Sequence, residues 1–183
     1  MSKNTKKKDS RNVQKRGLKS EILDRLLELF YEHPGKKFTV RDIAGKTRVP
    51  RATAHEYLNA LKKLNLITKD NMAESSLMFK TKKTNYFIER MISSGLISEI
   101  ISQMNPSCII LFGSIRKGES VQESDIDIFV ESSLKKQIEL RKFEKALNHN
   151  IQLFVENDIN SLQPNLFNNV INGIKIYGSI KIK

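Results

Sequence analysis

The sequence predicts an α+β chain of two small domains, the first helical and basic, the second a small mixed sheet with flanking helices. Three observations predict it. Charge is unevenly placed: residues 1–89 hold 21 Lys+Arg against 10 Asp+Glu and residues 90–183 hold 11 against 10, within a net charge of +12. Apolar residues recur at helical spacing as far as Met104 and then change to short continuous runs, the pattern of buried strands. A length of 183 residues holds one medium core or two small ones, and the charge split favours two. The basic half is the expected polyanion binder.

Residues 1–19 carry Lys3, Lys6, Lys7, Lys8, Arg11, Lys15, Arg16 and Lys19 with hardly any apolar side chain, so a disordered basic tail is expected. From Leu18, the residues Ile22, Leu23, Leu26, Leu27, Leu29 and Phe30 mark a first helix that His33-Pro34-Gly35 ends. Thr39 followed by Asp42 has the spacing of a capping box and opens a short second helix. Pro50 then introduces a third helix in which Ala54, Leu58, Leu61 and Leu64 share a face. Its other face offers Arg51, Thr53, His55, Asn59, Lys62 and Lys63, which suit base edges and phosphates. Two strand-like runs, Leu66 to Lys69 and Leu77 to Thr81, predict a hairpin wing from which Lys69, Lys80, Lys82 and Lys83 reach the DNA backbone. This order of elements resembles the winged helix-turn-helix domains of prokaryotic transcriptional regulators over residues 20–86, which implies double-stranded DNA as partner.

Residues 87–105 read as a connecting helix. Phe87, Ile88, Met91, Ile92, Leu96, Ile97, Ile100, Ile101 and Met104 form a broad apolar stripe that Asn105-Pro106 closes. Two burial sites are open to it: one of the two domains, or the same helix of a second subunit in a homodimer.

The second domain is expected over residues 106–183. Cys108 to Phe112 is an apolar strand that ends abruptly at Gly113-Ser114. Ten residues after Ser114 comes Ser124-Asp125-Ile126-Asp127, in which strand alternation sends both carboxylates to one side. Two such carboxylates repel each other, and their oxygens suit Mg²⁺ between them, which would recruit a triphosphate. Gly113 permits close backbone approach to the same place. A charged helical segment from Leu134 to Leu147, a strand Ile151 to Val155, a helix near Leu162 to Asn172 and a strand Ile174 to Tyr177 complete the half.

The run Gly113-Ser114, ten residues, then Asp125-x-Asp127 resembles the signature of the minimal nucleotidyltransferases of the DNA polymerase beta superfamily, and the likeness extends over Ser107 to Gly178. The resemblance implies an α+β chain in which a winged helix-turn-helix domain precedes a nucleotidyltransferase-type mixed sheet. It also implies Asp125 and Asp127 as catalytic metal ligands for Mg²⁺, with Gly113, Ser114, Lys117 and Ser124 holding ATP or another NTP. In the family, in-line attack on the α-phosphate releases pyrophosphate. Small members act as antitoxins that nucleotidylate a HEPN-type toxin, so such a toxin or another protein acceptor is the implied partner.

The family places a third carboxylate where this chain has Gln152, an amide that cannot serve as a base. Arg116 and Lys117 also depart from the usual small residue and Arg. Glu156 and Asp158 fall at a strand end and read as surface groups. Two functions follow: a Mg²⁺- and NTP-dependent transferase with a DNA-binding domain, or a DNA-binding transcriptional regulator whose transferase domain is degenerate. Other chemistries are excluded. Cys108 stands alone in an apolar strand, so no disulfide framework is expected, and His33 and His55 lie in different elements without a Cys pair at zinc spacing. No apolar run spans a bilayer and no signal peptide opens the chain, so a cytoplasmic protein with no membrane partner is expected.

Overall fold

The structure, a computed structural model, describes residues 21–182, which divide into two compact units, one ending at Ser76 and one beginning at Leu77. The basic segment 1–19 lies outside the described residues. No helix among the described residues is long and apolar enough to cross a membrane.

In the first unit, α1 (residues 21–32) buries Leu26, Leu27 and Phe30, and the ring of Phe30 meets Phe38 edge-on at 5.3 Å. The capping box at the next helix, α2 (Val40–Thr47), is present in both directions. The Thr39 hydroxyl accepts the Asp42 N–H at 3.1 Å and the Asp42 carboxylate accepts the Thr39 N–H at 2.9 Å. These bonds hold Asp42 below the usual carboxylate range. Arg48, in the left-handed conformation, ends α2, and α3 (Arg51–Lys63) follows Pro50. Helix α3 buries Ala54, Leu58 and Leu61, but Leu64 is 58% exposed because it is the C-cap, where helical spacing no longer aims side chains inward.

The wing differs from expectation. Ile67 pairs with Ala73 in a single antiparallel bridge, supported by Thr68 N–H to Met72 O at 2.8 Å and Glu74 N–H to Leu66 O at 3.0 Å. Leu77 to Thr81, expected as the second strand, instead opens α4 (Leu77–Ser93), which buries Phe79, Lys83, Phe87 and Met91 at intervals of four. A five-residue run is too short to reveal that period, and tertiary burial overrides the strand preference of Phe and Thr.

In the second unit the expected connecting helix is broken at Ser94-Gly95, so that α4 gives way to α5 (Leu96–Met104). Four strands form a mixed sheet in the order β3-β2-β1-β4: β1 (Cys108–Phe112) runs antiparallel to β2 (Ile126–Glu131) and to β4 (Ile174–Gly178), and β2 runs parallel to β3 (Ile151–Glu156). Strand alternation gives the sheet two apolar faces. On one, Phe87, Met91, Leu96 and Ile100 pack with Ile109, Leu111, Ile126 and Ile128. The apolar stripe is therefore buried within its own unit except at Ile92, which is 53% exposed. On the other, Cys108, Ile110, Phe112 and Phe129 pack with Ile159 and Val170. Burial pushes the Cys108 thiol up to about 11, which suits a structural role.

The helical segment expected from Leu134 to Leu147 is confined to α7 (Arg141–Leu147). Residues 134–140 have no regular secondary structure, and at their start the Ser132 hydroxyl, bonded to Met104 O at 2.5 Å, accepts the Leu134 N–H at 3.0 Å. A 3-10 turn (Ile159–Ser161) and α8 (Pro164–Ile171), with Pro at its first turn, lead to β4.

Candidate functional site

The site is assembled by strand register. Phe112, the last residue of β1, lies opposite Asp127 on β2, and Asp127 lies beside Gln152 on β3. The chain enters α6 (Gly113–Lys117) directly from Phe112, which brings Gly113 onto the Asp127 carboxylate. A Cβ at Gly113 would overlap Asp127 Oδ2 and fall 2.9 Å from its Cγ, and the residue's φ of +72° lies in the left-handed region. Glycine is required there on both counts.

Asp125 immediately precedes β2 and shares a face with Asp127 and with Gln152. Gln152 Nε2 donates to Asp125 Oδ2 at 2.5 Å. The position where the family resemblance puts a third carboxylate therefore holds a donor that fastens the first one. Asp127 is half-buried, and burial first, the Asp125 charge second, raises its carboxyl above the usual range.

That unneutralised pair is what fits a cation. Among the described residues no group of three or more His, Cys, Asp or Glu gathers to hold a metal. Two carboxylates on one side suit a hard cation such as Mg²⁺, which keeps most of its ligands as water and substrate phosphate. Three further carboxylates of this unit, Glu131, Glu156 and Asp158, are occupied elsewhere. Glu131 accepts the Ser107 hydroxyl at 2.6 Å and the Ile159 N–H at 2.9 Å, Glu156 pairs with Lys135 at 2.9 Å, and Asp158 caps the 3-10 turn.

Ser114 is half-buried beside Gly113, while Lys117 is exposed. Ser124 Oγ accepts the Val121 N–H at 2.9 Å, closing the turn before Asp125. A residue that sequence reasoning missed stands behind it: buried His149 bonds through Nδ1 to the Ser124 carbonyl at 2.6 Å and meets the Phe87 ring edge-on at 5.1 Å. Only its place ahead of β3, between Asn148 and Asn150, signalled it.

Residues 95–181 match the family "Polymerase beta, Nucleotidyltransferase". The second unit carries a polymerase beta-type nucleotidyltransferase domain. Residues 23–71 match the IclR helix-turn-helix domain, so a helix-turn-helix DNA-binding domain stands N-terminal to the nucleotidyltransferase domain. No curated protein and no solved structure matches the chain significantly.

On the helix-turn-helix domain, α3 exposes Arg51, His55, Asn59 and Lys63, with Thr53 and Lys62 half-buried at their margins. Residues four apart align on one face, and the Asn59 amide lies 3.4 Å from His55 Nδ1. Lys80 and Lys82 belong to no wing. Both lie on α4 in the nucleotidyltransferase unit, where the Lys80 ammonium pairs with Glu119 at 2.6 Å and Lys82 is exposed.

Proposed function

We propose that this protein binds duplex DNA through α3 and binds Mg²⁺ with ATP, or another nucleoside triphosphate, at Gly113, Ser114, Asp125 and Asp127. The reading is carried by one observation: Gly113 is pressed against the Asp127 carboxylate, so the turn that would cradle a polyphosphate and a hard oxygen ligand share one point. Asp125 and Asp127 would hold the metal, which when bound offsets the charge of the polyphosphate. Gln152 cannot take a proton from an attacking hydroxyl, so transfer to a protein acceptor, of which a HEPN-type toxin is one class, relies on the acceptor to complete the site. Lys117 and Ser124 flank the cradle as further nucleotide contacts. The basic face of α3 supports the DNA reading, with affinity drawn largely from phosphate contacts.

Calorimetric titration of Mg·ATP into wild type and the Asp125→Asn/Asp127→Asn double variant tests the nucleotide reading. Saturable binding that needs Mg²⁺ and vanishes in the variant is expected. Absence of binding to wild type refutes it. A second reading, a DNA-binding transcriptional regulator that uses the nucleotide as a ligand and transfers nothing, is favoured by the Gln152–Asp125 hydrogen bond. Nucleotide that binds, with no α-label passed to any protein, selects this second reading.

A further inference from the structure

Helix α4 lies between the two family matches, which cover residues 23–71 and 95–181, and yet its first three turns grip the segment that follows the cradle. The Thr84 hydroxyl is shared between the carbonyls of Ile115, at 3.0 Å, and Arg116, at 3.2 Å. The Lys83 ammonium, on a side chain only 1% exposed, donates to the Ser120 carbonyl. Lys80 pairs with Glu119 at 2.6 Å. Gly118, at φ +68°, lets the two backbones close: a Cβ there would stand 2.5 Å from Lys80 O and 2.7 Å from Lys80 Cα.

Burying an ammonium is costly, and a surface lysine would serve a merely packed helix as well. What this group secures is the far end of the short segment whose near end is Gly113. The carbonyls of Ile115 and Arg116 belong to the last turn of a five-residue helix too short to be stable alone, and Ser120 lies three residues beyond its end. Held at one end by Thr84 and Lys83 and joined at the other to β1, the segment has no slack with which to draw Gly113 away from Asp127.

We propose that Thr84 and Lys83 are positioning residues for the nucleotide cradle, and that α4 is a clasp setting the distance between Gly113-Ser114 and the Asp125–Asp127 pair. The inference rests on the nucleotide reading above. Its mechanism is that of outer groups that orient inner ligands, whose loss typically costs 10-fold to 100-fold in affinity.

The test is calorimetric titration of Mg·ATP into the full chain, for wild type, Thr84→Val and Thr84→Ser. Val keeps the shape of the side chain and removes the donor; Ser restores the donor. Binding roughly tenfold weaker in Thr84→Val and recovered in Thr84→Ser is expected, with duplex-DNA affinity in the absence of nucleotide unchanged in both. Equal binding by wild type and Thr84→Val, or a loss that Ser fails to recover, overturns the clasp while leaving the nucleotide reading in place. No binding by wild type overturns both. Should Thr84→Val fail to fold, Lys80→Ala removes only the surface ion pair of the same clasp; a loss of about twofold supports the proposal, and no loss overturns it.

Discussion

Replacing Gly113 by Ala puts the site geometry to its most direct test. The residue sits at φ +72°, where a side chain costs roughly 1–2 kcal/mol. The added methyl would also overlap Asp127 Oδ2 and stand 2.9 Å from Cγ, so a spin of the carboxylate about its last bond does not relieve it. Asp127 must leave its rotamer, at a further cost of roughly 0.5–1.5 kcal/mol. Together these predict roughly 1.5–3.5 kcal/mol lost from the nucleotidyltransferase domain. They also predict loss of Mg·ATP binding, because the displaced carboxylate is a proposed metal ligand. Urea unfolding of the full chain, followed by probes in each unit, should show a lower midpoint for the second unit with an unchanged slope, and calorimetry should show no nucleotide binding. A Gly113→Ala protein as stable as wild type, with unaltered Mg·ATP affinity, would refute the claim that the carboxylate and the turn share one point.

Three further outcomes follow from the same geometry. Because the folded state raises the Asp127 carboxyl above 3.8, that group binds its proton more tightly when folded. Its burden on stability is therefore absent at low pH and develops as pH rises from about 3.8 through the raised value, so Asp127→Asn should be the more stable protein at pH 7 and lose that advantage near pH 3, as read by thermal melts at both. Gln152→Asp exchanges the donor to Asp125 for a third negative charge; without metal its melting temperature should fall by several degrees, and Mg²⁺ should restore it more than it stabilises wild type. Duplex-DNA affinity should drop steeply with salt, and Arg51→Ala and Lys63→Ala should each lower the slope of log K against log salt by about 1, whereas Lys80→Ala, whose ammonium is held by Glu119, should leave it unchanged.

Much of the fold was legible because its signals are local. The Thr39–Asp42 spacing announced the cap that starts α2, and the apolar run Cys108 to Phe112 announced a strand buried on both faces. The carboxylate pair was legible for the same reason, since alternation along one strand decides which side chains share a face. What escaped depends on partners distant in sequence. Leu77 to Thr81 looks like a strand until Phe79, Lys83, Phe87 and Met91 are seen to share the buried side of a helix. His149 and Thr84 act on carbonyls 25 and 31 residues away, and no spacing rule connects them to Ser124 or Ile115. Gln152 was located correctly beside the carboxylates, but the direction of its amide, donating to Asp125, is a product of the folded site.

The pairing of Phe112 with Asp127 has a consequence for how such a protein can vary. The ladder between β1 and β2 decides where Asp127 stands, so the number of residues between Gly113-Ser114 and Asp125 is not itself a geometric requirement. Between the anchored carbonyls of Ser120 and Ser124, the residues Val121, Gln122 and Glu123 are exposed, in a turn closed by the two hydrogen bonds between Val121 and Ser124. That tip is the natural place for extra chain, whether an evolved loop that reads one acceptor among many or a fluorescent tag inserted by an experimenter, within a few residues of the carboxylates and without disturbing their alignment.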